Sequence, residues 1–319
     1  MEIFYFIARY FMYFFIPLLV VAVAGMFSER SGIIHMALDS VMVWSCMWGV
    51  FCLQWLEGVI INSSLRLIIA LLFAGVMGVV FTLFLAVAAI NLNAEQNIVG
   101  QALNTFAPAF CIFFARVMQD GSEHLKFLND FRIDAVPVLS KIPVIGRILF
   151  QNQYLTTYLG FGIFIIAAIV FSKTRFGLRI SACGENPQAA ESLGVNVQKY
   201  RYIAMVVAGF IGGIGGLMYI IPVSSVYSQT VAGYGYLAMS VLIFGQWRSK
   251  SLLFAAAFFA LFKTIASAYT AIPFLASLPL PDAFYKSLPF IITLVALAAT
   301  SKYDHSPKAS GVPYDKSMR

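Results

Sequence analysis

LIIALLFAGVMGVVFTLFLAVAAI, residues 67–90, contains no charged side chain. This stretch is longer than the roughly 20 apolar residues that cross a bilayer as a helix. Stretches 4–26 and 202–222 are almost as free of charge. We interpret 4–26 as a retained helix, because no basic region precedes it and its apolar run exceeds the roughly 7–15 residues of a signal-peptide core. The sequence therefore predicts several membrane-spanning helices.

The composition agrees with this interpretation. Of 319 residues, 61% are hydrophobic and 11% are charged, whereas soluble domains carry roughly 25% charged residues. A soluble fold cannot bury that much apolar surface. We expect an all-α, polytopic membrane protein of about eight to ten spans that forms one domain over 1–319. The predicted segments lie near 4–26, 33–53, 65–90, 96–118, 154–172, 200–222, 236–247, 252–272 and 285–300.

One segment is short for a crossing. Segment 236–247 follows the interruption Gly233-Tyr-Gly235, and such broken helices often lie beside a transport path. A different glycine cluster, between Gly209 and Gly216, lies inside an apolar segment. It predicts close helix packing rather than a phosphate-binding loop.

Charge placement predicts the orientation. Lys and Arg collect in loop 173–201, in the turn 248–250 and in the tail 301–319, whereas 54–64, 223–235 and 273–284 contain none. Positive loops stay in the cytoplasm, so we expect the N-terminus outside and the C-terminus inside. Loop 119–153 carries both signs of charge. We place it outside, with its apolar part 136–149 lying on the membrane surface.

Enzymatic chemistry is not indicated. His35, His124 and His305 are scattered, and the four cysteines match no metal-site spacing. The ATP-binding pattern Gly-x-x-x-x-Gly-Lys-Ser/Thr does not occur. We expect no catalytic residue, metal or cofactor. The formal net charge of +7 is explained by membrane orientation, so no nucleic acid is expected as a partner.

A short helix is predicted outside the membrane. Asn186 is a good N-cap, Pro187 suits the first helical position, and Gly194 suits the position after the helix. Between them, Ala189, Ala190 and Leu193 are predicted to share a small, smooth face that inserts into a groove on a partner.

This region resembles a known family. TRFGLR at 174–179 and GENPQAAESLGV at 184–195 resemble the coupling loop of ABC importer permeases, in the branch for nucleosides and simple sugars. SERSGII at 28–34 is also similar to that branch. IPVIG at 142–146 and GVPYD at 311–315 are similar to nucleoside permeases in particular. The resemblance covers essentially the whole chain.

The resemblance implies nucleoside import with three kinds of partner: a second permease subunit, a cytoplasmic ATPase and an external solute-binding protein. It places ATPase coupling in the loop 173–200, at Gly184, Glu185, Asn186, Pro187, Ala189, Ala190, Leu193 and Gly194. Riboflavin and simple sugars remain alternative solutes, because the chain has HMALDS at 35–40 where the family usually has Asn-Ile-Gly-Leu-Glu-Gly.

Polar residues in the apolar segments are the candidate solute path. His35 and Asp39 are four residues apart and would share a face if they lie on one helix. The other candidates are Gln96, Asn97, Gln101, Asn104 and Lys263, and Asn104 resembles a recurrent family position. The alternative is structural: Asp39 caps a helix, and Lys263 pairs with a neighbour.

A rival function is an ion-coupled secondary transporter, in which His35, Asp39, Glu95 and Lys263 relay protons. Such a carrier needs no docking helix in the cytoplasm. The capped helix after Asn186 therefore favours the importer.

Overall fold

The structure is a computed structural model that describes residues 2–135, 140, 145–272, 275, 277, 281–300 and 305–314. This part of the chain is almost entirely helical. The helices are α1 Glu2–Arg30, α2 Leu38–Leu56, α3 Ser63–Ile90, α4 Gln96–Met118, α5 Ile145–Leu149, α6 Leu155–Lys173, α7 Arg175–Glu185, α8 Pro187–Ser192, α9 Val197–Val223, α10 Tyr234–Phe244, α11 Ser249–Ala268 and α12 Asp282–Thr300.

Each predicted membrane segment overlaps a helix, although the helix of segment 33–53 begins only at Leu38. Within the described residues, six helical stretches are long and apolar enough to cross a membrane, while α10 is apolar but shorter. The six are Phe4–Arg30, Ser63–Ile90, Gln96–Met118, Leu155–Lys173, Val197–Val223 and Ser249–Ala271. These helices confirm the predicted all-α membrane fold.

Small residues allow α9 to lie against α3 and α2 in the centre of the bundle. A Cβ atom on Gly78 of α3 would lie 2.2 Å from the carbonyl oxygen of Gly209, and one on Gly213 would lie 2.5 Å from that of Ala74. Real Cβ atoms do not approach backbone so closely, so larger residues would separate the helices. The prediction of close packing by this glycine cluster is confirmed.

One end of the bundle, the sheet face, carries four short strands that the sequence did not predict. β1 Leu125–Lys126 pairs with β4 Val226–Tyr227, and β2 Arg132–Ala135 pairs with β3 Gln151–Tyr154. Side chains fix these strands to the helix ends: Gln54 Nε2 donates to the Lys126 carbonyl at 2.7 Å, and Asn129 Nδ2 to the Ile221 carbonyl at 2.7 Å.

Part of the predicted surface segment 136–149 lies outside the described residues, namely 136–139 and 141–144. The same holds for much of the IPVIG motif at 142–146 and for tail residues 301–304 and 315–319. From 145 to 149 the chain is helical, as α5.

The opposite end, the short-helix face, contains α7, α8, the link 31–37 and the tail segment 305–314. Contacts between these parts include the bond from Arg30 to Ser181 Oγ at 3.2 Å, the bond from the N–H of Ala309 to the Gly184 carbonyl at 2.8 Å, and the bond from the N–H of Gly311 to the Gly32 carbonyl at 3.1 Å. The basic loop and the tail therefore lie at the same end of the bundle.

Candidate functional site

Helix α10 is too short to cross a bilayer. Its 11 residues rise about 16 Å, about half of the roughly 30 Å hydrocarbon core. The link from α9 enters the bundle before α10 begins, because the buried Tyr227 hydroxyl donates to the Val43 carbonyl of α2 at 2.7 Å. The helix ends at Phe244, and 245–248 form a turn. The interruption at Gly233 to Gly235 therefore marks a half-helix.

The start of α10 is held by Asp39. Oδ1 of Asp39 accepts the backbone N–H of Gly235 at 2.9 Å. The helix's own cap residue, Gly233, has a left-handed backbone and offers no side chain. Asp39 thus supplies from α2 the acceptor that the first turn of α10 lacks. Its carboxylate also lies at the positive end of the α10 dipole.

Gly235 is required by this contact. A Cβ atom on Gly235 would lie 2.3 Å from both Cα and N of Asp39, so α10 could not approach α2 with any larger residue there. The sequence marked the glycine as a helix interruption but did not indicate its partner.

The prediction that His35 and Asp39 share a helix face is wrong. α2 begins at Leu38, and His35 lies in the non-helical link before it. Polar groups of α4 bind this non-helical link: Gln96 Oε1 accepts the N–H of Ile34 at 2.7 Å, and Asn104 Nδ2 donates to the Met36 carbonyl at 2.8 Å. His35 is fully buried, and neither ring nitrogen has a hydrogen-bond partner among the described residues.

Asn104 joins α4 to the start of α2 twice. Besides its bond to Met36, its Oδ1 accepts the N–H of Ser40 at 3.1 Å. Asn104 is therefore satisfied by backbone groups and fixes the geometry beside Asp39. The Tyr236 hydroxyl of α10 faces Asn104 and Gln101, a contact that the sequence did not suggest.

Helix α4 has two different flanks. Asn97 and Gln101 are exposed and lie on the flank towards Asn104, whereas Phe106, Phe110 and Phe114 follow the other flank, where Phe110 and Phe114 contact Trp44 and Trp48 of α2. The ring contacts explain why α4 stays on α2. The polar flank points to an open side of the bundle, where amides cannot face lipid without cost.

Lys263 is not joined to this polar cluster. It lies in α11 and is half-buried, and among the described residues it forms no hydrogen bond or ion pair. The structure therefore brings together Asp39, Gln96, Gln101 and Asn104 around the start of α2, with Asn97 exposed on the same helix, α4, and leaves Lys263 apart.

The predicted coupling helix forms as α8. Asn186 Oδ1 accepts the N–H of Ala189 at 3.0 Å, Pro187 is the first helical residue, and Gly194 has a φ of 82° just after the helix. These features confirm the predicted cap and stop. The helix ends at Ser192 rather than Leu193. It is preceded by α7, which the sequence did not predict.

The predicted docking face of α8 is wrong in one residue. Ala190 is 3% exposed and packs inside the chain against Cys183, Val197 and Tyr314. Ala189 is exposed, and Leu193 is 84% exposed. The outward surface of α8 therefore contains Ala189 and Leu193 but not Ala190.

Comparisons with known proteins cover nearly the whole chain. The family described as branched-chain amino acid transport system / permease component matches residues 7–297. The chain is 35% identical to the nucleoside ABC transporter permease protein NupC of Lactococcus lactis over 94% of each chain. It is 33% identical to the guanosine ABC transporter permease protein NupQ of Bacillus subtilis, over 95% of this chain and 94% of that protein.

A partial match adds a second permease from Lactococcus lactis. The nucleoside ABC transporter permease protein NupB is 35% identical over 108 residues, which are 33% of this chain and 30% of NupB. The family match and the near-complete alignments lead to one conclusion. The chain is a multi-pass membrane permease that belongs to the branched-chain amino acid transport system / permease component family.

Proposed function

We propose that the chain is the membrane-spanning subunit of an ATP-driven importer that moves nucleosides into the cell. The observation that carries this proposal is the alignment over 94% of both chains with a permease named for nucleoside transport. The substrate class is transferred from that relative and from the guanosine permease. Riboflavin and simple sugars are the alternative cargoes.

Solute would pass along the polar flank of α4, beside the start of α10. Asn97 and Gln101 offer amide groups there, next to the Tyr236 hydroxyl, while Asn104 fixes the wall of the path through its bonds to Met36 and Ser40. Uncharged amides and a hydroxyl suit the hydrogen-bonding groups of an uncharged nucleoside. In this arrangement Asp39, Gln96 and His35 would shape the path from behind, by fixing the link 31–37 and α10.

The open side of this path would be closed by a second permease. Within the described structure, only 22% of the most apolar 18-residue stretch of α4 is buried. The exposed amides of Asn97 and Gln101 need a polar neighbour rather than lipid. NupB and NupC are two permeases from one organism, which fits a pair of different subunits. A solute-binding protein would deliver the cargo from outside.

The ATPase would dock on the exposed part of α8. Ala189 and Leu193 present a small apolar surface in water, and Leu193 is 84% exposed among the residues that the structure describes. This assignment places the short-helix face in the cytoplasm, together with the C-terminus, and the N-terminus and the sheet face outside.

The test is reconstitution with the two permeases, the ATPase and the binding protein, followed by uptake of labelled guanosine, uridine, riboflavin and galactose. We expect both nucleosides to be taken up and to compete with each other. Uptake of riboflavin or galactose without uptake of either nucleoside would show that the proposed substrate class is wrong and that the proposed importer function is right.

A further inference from the structure

The tail segment 305–314, which no function above uses, is bonded to two separate parts of the short-helix face. The N–H of Ala309 donates to the carbonyl of Gly184, at the end of α7, at 2.8 Å. Two residues later, the N–H of Gly311 donates to the carbonyl of Gly32, in the link between α1 and α2, at 3.1 Å. The tail therefore bridges the coupling loop and the link.

Arg201 also connects the tail to the link. Its side chain, at the start of α9, is 1% exposed. Its Nε donates to the Ser31 carbonyl at 3.2 Å and its Nη1 to the Val312 carbonyl at 3.5 Å, and its guanidinium lies 5.8 Å from the centre of the Tyr314 ring. One buried cation thus binds both the link and the tail.

Tyr314 covers the inner side of α8. Its ring packs in an apolar cluster with Cys183, Ala190 and Val197, and its hydroxyl donates to Glu191 of α8. Two turns of helix are unstable on their own in water. The tail is one support of α8, beside Cys183 of α7, Val197 of α9 and the cap at Asn186.

The link held by the tail leads directly to the polar path. After Gly32, its next residues are bonded to α4 through Gln96 and Asn104, and it ends where α2 begins, at Leu38, one residue before Asp39. A rigid contact between α8 and this link would therefore carry a displacement of α8 to the start of α10.

We propose that residues 305–314 are a positioning strap that transmits the movement of α8 to the link 31–37, with Tyr314 and Gly311 as its contact points. This inference rests on the proposed ATP-driven function. The strap makes no contact with solute or ATP. Its loss uncouples hydrolysis from transport while the subunits stay assembled.

Cys183 reports whether the strap is in place. It is fully buried beneath Tyr314, and burial raises the pKa of its thiol to about 11 from 9.0. A shift of about two units lowers the reactive thiolate fraction about 100-fold below pH 9. Release of the strap should expose this thiol and return its pKa towards 9. The other three cysteines are replaced by Ser or Ala for this assay.

The variants are Tyr314→Ala and Gly311→Val, measured in the reconstituted complex. A Cβ on Gly311, whose φ is 78°, would lie 2.8 Å from Ile34 Cδ1, so Val cannot keep the contact. We expect normal subunit association, rapid maleimide labelling of Cys183 at pH 8, and ATP hydrolysis within about twofold of wild type. Uptake per ATP should fall about tenfold, within the usual range of coupling between sites.

Val312→Ala is the matched control, because the Val312 side chain is exposed and its N–H and carbonyl, which the substitution keeps, make its hydrogen bonds to Ala309 and Arg201; it should behave as wild type. If the Tyr314→Ala complex fails to assemble, Tyr314→Phe is measured in its place. This variant keeps the ring and loses the hydroxyl that donates to Glu191, so its uptake per ATP should fall by less than in Gly311→Val. Labelled Cys183 with unchanged uptake per ATP overturns the proposal, and so does a Cys183 that stays protected in Tyr314→Ala. A wild-type complex that fails to transport would instead count against the importer function.

Discussion

Oδ1 of Asp39 lies 2.9 Å from the backbone nitrogen of Gly235 and caps a helix that belongs to a distant part of the chain. The other end of that helix is also held: Trp247, after α10, donates from Nε1 to Glu29 at 2.6 Å, and its carbonyl accepts from Arg30 Nε at 2.9 Å. Arg30 in turn contacts α7. Helix α10 therefore connects the polar path with the short-helix face.

Removal of the Asp39 acceptor should weaken the start of α10. Asp39→Ala leaves the Gly235 N–H without its partner, which costs about 1 kcal/mol, as for other lost N-caps. We expect a lower melting temperature for the complex and a marked loss of uptake. Asp39→Asn keeps an oxygen acceptor, so its melting temperature and its uptake should stay close to those of the wild type. Equal loss of uptake in the Asn variant would show that the charge, not the cap, is needed.

Gln101 and Asn104 should respond differently to truncation. Gln101 is exposed, so Gln101→Ala should raise the KM for nucleoside uptake without changing the melting temperature. Asn104→Ala leaves backbone groups of Met36 and Ser40 unpaired, which typically costs about 1–3 kcal/mol, so both stability and uptake should fall. The control is Thr105→Ala, because the Thr105 hydroxyl is exposed and donates to the Gln101 carbonyl of its own helix. A normal KM in the Gln101→Ala variant would show that Gln101 does not line the solute path.

Substitutions in α8 should separate the docking surface from the inner face. Ala189→Trp enlarges an exposed residue, so the isolated permease should melt normally while ATPase association falls. Ala190→Trp instead overfills the cluster beneath Tyr314, and such overpacking costs roughly 1–3 kcal/mol; the permease itself should lose stability. Normal ATPase binding by the Ala189→Trp complex would show that the ATPase docks elsewhere.

The proposed orientation predicts opposite labelling of two exposed positions. Ile61, at the sheet face, is 98% exposed, and Lys250 is exposed at the short-helix end. In intact cells, a membrane-impermeant maleimide should label Ile61→Cys, whereas Lys250→Cys should react only after the membrane is opened. The four native cysteines are buried and give little background. Reversed labelling would invert the orientation.

Local signals in the sequence predicted the long apolar helices and the cap of α8. Long apolar runs, the N-cap Asn186 and the stop at Gly194 act over a few residues, so they can be recognised without a structure. The burial of Ala190 cannot be recognised from the sequence, because Tyr314, which covers it, lies more than 100 positions away in the chain. Helical spacing alone made Ala190 and Leu193 appear equivalent.

The same reason explains His35 and Asp39. Spacing of four residues suggests a shared helix face, but the link before Leu38 is not helical and is bound by Gln96 and Asn104 of another helix. The partner of Asp39 is 196 residues further along the chain. The polar residue types identified the region of the candidate site, and only tertiary contacts could show which side chains line it and which fix its shape.

The central claim is that ATP hydrolysis drives nucleoside movement through this permease. It is tested most directly by uptake of labelled guanosine into proteoliposomes that contain both permeases and the ATPase, with binding protein outside and ATP inside. We predict uptake that requires enclosed ATP, stops when the ATPase lacks its catalytic carboxylate, and is insensitive to a protonophore. Uptake that proceeds without ATP and is abolished by the protonophore would contradict the account and establish an ion-coupled carrier.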